Sequence, residues 1–177
     1  GSVSSVSTSR GCSGGIAATV RRAPRRPDGV WSRTVPTVFS RIIAGELPGT
    51  FVWRDDRCVA FMSINPIARG HALIVPIEEL DHWLDGDPAL IAHLFEVTRV
   101  IGLAQRAAFQ PARIGVIIAG YEVPHMHIHA IPTNSMADLS FANAAASVER
   151  SELEAAAEAI RAELRAMGRS EVYAGPS

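Results

Sequence analysis

The sequence predicts an α+β fold: a mostly antiparallel sheet, one long helix against it and a C-terminal helix. Three observations carry that expectation. Short β-favouring runs recur between turn residues, and a segment opened by Asp87-Pro88 holds apolar residues at helical spacing. A second helical stripe, Leu153, Ala157, Ile160, Leu164 and Met167, ends at Gly168.

Taken in order, Thr37 is placed to cap a short helix over 38–44, stopped by Gly45 and Pro48. Residues 51–54 and 58–62 read as a hairpin around Asp55-Asp56-Arg57, and 71–75 as a third strand between Gly70 and Pro76. Asp87 as cap and Pro88 in the first turn start the main helix, 88–109, with Leu90, Ile91, Leu94, Phe95, Thr98 and Ile101 as its apolar stripe. Strands are expected over 113–119 and 124–131, and Ser151-x-x-Glu154 has the form of a capping box. Residues 1–34 are rich in Ser, Gly, Arg and Pro without hydrophobic period, so this stretch is expected to be a disordered extension. The chain is expected to divide into a 1–34 extension, a main domain over 35–146, and a helix and tail over 147–177.

Composition narrows function. With 47% apolar residues the 177-residue chain has the core of one ordinary domain. The net charge of −1 argues against a nucleic-acid partner, because binding a phosphate backbone needs clustered cations. Six arginines against Asp28 make residues 1–34 net positive, and the remainder carries the compensating acids. Two cysteines, Cys12 and Cys58, are too few for a disulfide framework or a Cys-rich zinc module. No run reaches the roughly 18–20 apolar residues of a membrane span, so no membrane partner is expected. The expected location is the cytoplasm, although the Ser- and Arg-rich, acid-poor start also fits an organelle transit peptide.

The chemistry is concentrated in Pro124-His125-Met126-His127-Ile128-His129-Ala130-Ile131-Pro132. On an extended chain, side chains alternate, so His125, His127 and His129 share a face at roughly 6.5–7 Å spacing while Met126, Ile128 and Ala130 enter an apolar layer. A neutral imidazole with one nitrogen held as a donor keeps a free lone pair on the other, a nucleophile. Its neighbours can donate hydrogen bonds to the oxygens of an attacked phosphate. Two other readings of the row stay open at this point. It can be a polar surface strand, or a zinc site completed by His71, His82, Asp81 or Glu122.

This stretch resembles the motif of the histidine-triad (HIT) superfamily of nucleotide hydrolases and transferases. Around it, Gly120-x-Glu122-Val123-Pro124, Phe39-x-Arg41-Ile42-Ile43-x-Gly45-Glu46-x-Pro48, Asp55-Asp56, Ala60-Phe61, Asn65-Pro66 and Gly70-His71 follow the family's order. The whole domain, including Phe141-Ala142-Asn143 after the row, is similar to an actinobacterial branch. The resemblance implies five antiparallel strands, a homodimer formed through the long helix and a sheet edge, and a nucleotide as the small-molecule partner. It implies His127 as the nucleophile on an α-phosphate, His129 on the phosphate, and His71 and His125 as orienting groups. It implies a nucleoside pocket of Val38, Phe39, Ile42, Phe61, Ser63, Ile64 and Leu73, with no cofactor and no metal. Ser63 replaces a usual Asp or Asn, Ile114 a usual Asn or Gln, and Glu122 a Ser. Thr37 and Ser40 stand where some relatives bind zinc through Cys-x-x-Cys, so that site is expected to be missing. The alternatives are a non-catalytic nucleotide-binding module and a zinc-dependent hydrolase.

Overall fold

The computed structural model describes residues 35–175, so the disorder expected for 1–34 lies outside the described residues. Five strands run β1 Phe51–Arg54, β2 Cys58–Met62, β3 Ala72–Pro76, β4 Arg113–Ile117 and β5 Ile128–Thr133, ordered β1-β2-β3-β5-β4 with every pairing antiparallel. Three helices accompany them: α1 Val38–Ile43, α2 Pro88–Phe109 and α3 Arg150–Ala166. This is the α+β, five-stranded architecture the sequence implies.

Alternation along the strands sorts side chains to two faces. One face carries Cys58, Ala60, Met62, Ala72, Ile74, Met126, Ile128 and Ala130, packed under Leu94, Val97, Ile101 and Ala104 of α2 and Ala157, Ile160 and Leu164 of α3. The other carries Val59, Phe61, Leu73 and Val75, joined by Phe51 and by Phe39 of α1. Asp87 accepts hydrogen bonds from the amides of Ala89 and Leu90, and Pro88 follows at the first turn, so α2 starts and ends where its sequence signals place it.

Several expectations need correction. The histidine strand begins only at Ile128, so His125 and His127 lie on the extended approach to β5. The amide of Met126 donates to the Leu80 carbonyl at 2.5 Å there, outside the ladder. Strand β3 begins at Ala72 rather than His71, and β4 stops at Ile117. The capping box of α3 does not form: Glu149 holds the cap position, Ser151 lies inside the first turn, and Glu154 pairs with Arg161. Phe95 and Met167, both expected in buried stripes, are exposed. Among the described residues, no helix is long and apolar enough to cross a membrane.

The end of the chain also joins the sheet. The Arg54 amide donates to Glu171 O at 2.9 Å and the Tyr173 amide to Val52 O at 3.2 Å, which covers the free edge of β1. The Tyr173 ring then packs on Phe51, with centroids 4.9 Å apart.

Candidate active site

The histidine row lies on the sheet face opposite α2 and α3. Leu73 and Ile117 flank His129 on β3 and β5's other neighbour, β4, and Phe61 lies beyond Leu73 on β2. His71 precedes β3 because Gly70, at φ 89°, turns the chain into it, with the Phe109 ring packed where a β-carbon would otherwise sit.

Hydrogen bonds fix the proton on each ring. His71 Nδ1 accepts the Ile67 amide at 3.1 Å, so its hydrogen is on Nε2, which donates to His129 Nδ1 at 2.9 Å. The hydrogen of a neutral His129 is then on Nε2. His125 Nε2 donates to the Pro76 carbonyl at 2.9 Å, leaving Nδ1 to accept the Thr37 hydroxyl at 2.9 Å. His127 Nδ1 donates to the His125 carbonyl at 2.8 Å. Among the described residues, the remaining lone pair of His127, on Nε2, has no hydrogen-bond partner, and the ring lies 4.7 Å from that of His129. A free lone pair therefore stands beside a ring that presents an N–H.

Burial acts on all four rings in the same sense, since a desolvated imidazolium is costly. It lowers His71 to about 4 and His129 to about 3, each helped by neighbouring histidines. Burial also lowers His125 and His127; for His127 the bond to the His125 carbonyl and the charge of Glu122 pull the other way. The row is neutral near pH 7.

The expected pocket residues divide. Phe39, Phe61 and Leu73 share one buried cluster with Ile42 packed against it, and the Phe39 ring meets His127 edge-on at 4.9 Å. Val38 and Ile64 are exposed and stand outside that cluster. Ser63 follows β2, its amide bonded to the His71 carbonyl at 3.0 Å. Ile114 packs into the helix-side core, so the β4 residue beside His129 is Ile117. His82 caps the short turn at Trp83–Asp85, as a solitary histidine would.

Residues 44–136 match the family model described as the HIT domain, more than half of the chain. The chain belongs to the HIT family. It is 33% identical over 98 residues to an uncharacterised HIT-like protein of Helicobacter pylori, covering 53% of this chain and 93% of that one. It is 31% identical over 113 residues to a HIT-like protein of Mycobacterium tuberculosis, covering 61% and 78%. Among solved structures, a Hit-like protein of Bartonella henselae aligns with TM-score 0.67 at 29% identity, over 76% of this chain and all of that one. A histidine triad nucleotide-binding protein of Sulfolobus tokodaii aligns with TM-score 0.66 at 26% identity, over 74% and 93%.

In this HIT protein a hydroxyl network occupies the start of α1. Thr37 caps the helix through the Ser40 amide, Ser40 donates to the Glu79 carboxylate, and both hydroxyls face His125 Nδ1, Ser40 at 3.4 Å. The sequence marks Thr37 as a cap and as a position where some relatives carry a zinc cysteine, but gives no sign of its tie to His125, and none of Glu79. Thr37 meets His125 from 88 residues away and Glu79 meets Ser40 from 39, and no local pattern announces such contacts. Phe141 is likewise brought to the row, edge-on to His129 at 5.1 Å.

Proposed function

We propose that this HIT protein is a nucleotide hydrolase or nucleotidyl transferase that works through a nucleotidyl-histidine. The observation that carries the reading is the His127 tautomer, with Nδ1 committed to a backbone carbonyl and the Nε2 lone pair free beside the N–H of His129. In the first step His127 Nε2 forms a bond to the α-phosphorus, and the bond from phosphorus to the leaving oxygen or nitrogen breaks. The leaving group takes up a proton. Donation from His129 Nε2 stabilises charge on the phosphoryl oxygens. In the second step water forms a P–O bond and gives up a proton to solvent, the P–N bond breaks, and His127 regains its lone pair.

Phe39, Phe61, Leu73 and Ile42 offer an apolar wall to the nucleoside, and Val38, Ser63 and Ile64 its rim. The nucleotide-binding description of the Sulfolobus tokodaii relative supports that class of ligand. A catalytic zinc on the row is less well supported, because three of its six ring nitrogens bind backbone or hydroxyl groups and a fourth binds His71. Two remain, and catalytic zinc takes three protein ligands. A cytoplasmic homodimer through α2 and β4 belongs to the same reading; Phe95 and Val116 are the exposed large apolar residues on those elements.

Incubation with adenosine phosphoramidate or a diadenosine polyphosphate, followed by intact-protein mass measurement, tests it. A nucleotidyl mass increment on the chain, absent from His127→Asn, is expected. Turnover at the parent rate in His127→Asn would refute the assignment. Nucleotide binding with no adduct and no turnover would favour the non-catalytic module.

A further inference from the structure

On the helix side of the sheet, remote from the histidine row, three different ligand-bearing side chains meet at the tip of the β1–β2 hairpin. Asp55 Oδ2 lies 2.9 Å from His93 Nε2 on α2 and 3.5 Å from Cys58 Sγ on β2. The three donor atoms all fall within 4.8 Å of one another.

We propose that Asp55, Cys58 and His93 bind a thiophilic divalent cation of the zinc class, clipping the hairpin to α2. Tetrahedral zinc with bonds of about 2.0–2.3 Å sets neighbouring donors about 3.3–3.6 Å apart. The Asp55–Cys58 separation already has that value. The Asp55–His93 separation is short of it by about 0.4 Å. His93 has room to retreat, its side chain being 28% exposed on the helix surface.

The carboxylate is held as a ligand should be. Its Oδ1 accepts the amides of Arg57 and Cys58 at 2.8 and 2.7 Å, and its Oδ2 accepts the Trp53 indole N–H at 2.8 Å. Such outer bonds fix a ligand's orientation before the metal arrives. Oδ2 also faces three donors at once, and two of them, the Cys58 thiol and the His93 ring, carry hydrogens that a metal can replace.

On binding, metal–sulfur, metal–nitrogen and metal–oxygen bonds form, the S–H bond breaks, and its proton leaves to solvent. The His93 Nε2–H bond breaks and an Nδ1–H bond forms by exchange with solvent, so the ring stays neutral and coordinates through the Nε2 lone pair. Dication, thiolate and carboxylate sum to zero charge, which suits a site where Cys58 is fully buried. Burial and the charge of Asp55 hold the free thiol protonated, so only a cation with strong affinity for sulfur can displace that proton. The site stands whether or not His127 is a nucleophile.

Titration of the metal-stripped full chain with cobalt(II) alone tests this. One bound equivalent is expected, with a thiolate-to-cobalt charge-transfer band, visible bands of tetrahedral cobalt, displacement by zinc and a raised melting temperature. His93→Gln, at a partly exposed position, should keep the fold and weaken binding by about tenfold or more. Cys58→Ala should remove the charge-transfer band, and His127→Asn should leave it intact. Cobalt bound without a thiolate band, unchanged cobalt affinity in His93→Gln, or no stoichiometric binding overturns the proposal.

Discussion

At the scale of single residues, the proposed reaction depends on where the protons of the row sit. His127 is useful as a nucleophile only if its hydrogen stays on Nδ1, and the His125 carbonyl enforces that. Thr37 acts one step back, holding the His125 ring from the start of α1. Thr37→Val keeps the shape and deletes the hydroxyl, leaving a buried ring nitrogen and an uncapped amide, a cost of about 1–3 kcal/mol. We expect the rate of nucleotidyl-histidine formation to fall about tenfold with nucleotide affinity nearly unchanged, and Thr37→Ser to restore it. An equal loss in Thr37→Ser and Thr37→Val would assign Thr37 to packing instead. The pH dependence follows from burial: with the His127 value lowered, the attacking step should hold its rate through pH 6.5 and decline only on the acid side. Single-turnover rates between pH 5 and 8 give the profile, and a midpoint at or above 6.5 would contradict a buried neutral nucleophile.

At the scale of elements, what could be read locally was read well. The cap, proline and apolar period of α2 are all local, and the helix runs Pro88–Phe109 as expected. The alternation through Met126, Ile128 and Ala130 put three histidines on one face even though ladder bonding begins only at Ile128, because period two survives in any extended chain. Contacts made at long range were not legible. Ser151-x-x-Glu154 looked like a capping box, but Glu154 is drawn to Arg161, whose guanidinium also reaches Glu158 at 2.9 Å and the Phe51 carbonyl at 2.7 Å. Arg161 is buried and is the polar tie between α3 and β1, while both glutamates keep more than half their side-chain surface in water. Arg161→Leu should therefore cost about 1–3 kcal/mol, chiefly for the stranded Phe51 carbonyl, without touching the row. Urea unfolding would show the lower midpoint, and an unchanged midpoint would mean that the tie contributes nothing.

For the whole molecule, the same neutral histidines that suit catalysis make the fold sensitive to acid. His71 and His129 titrate at about 4 and about 3 when folded, against about 6.5 in an unfolded chain. Between those values the unfolded chain binds more protons than the folded one, so stability must fall as pH drops through that window. Above about 6.5 both states are neutral and the contribution is constant. Carboxylates held low, such as Asp55 at about 2 where bonds from Trp53, Arg57, Cys58 and His93 outweigh its burial, add their own loss only at lower pH. The first loss on acidification, between about 6.5 and 4.5, thus belongs to imidazoles and can be told apart from the later one. Thermal melts should show a flat midpoint from pH 8 to about 6.5 and a steady decline below it, shallower in a His71→Asn variant corrected for its own loss at pH 8. A midpoint level down to pH 4.5 would mean that the histidines are wet in the folded state, and the tautomer chain from Ile67 through His71 to His129 would then not hold.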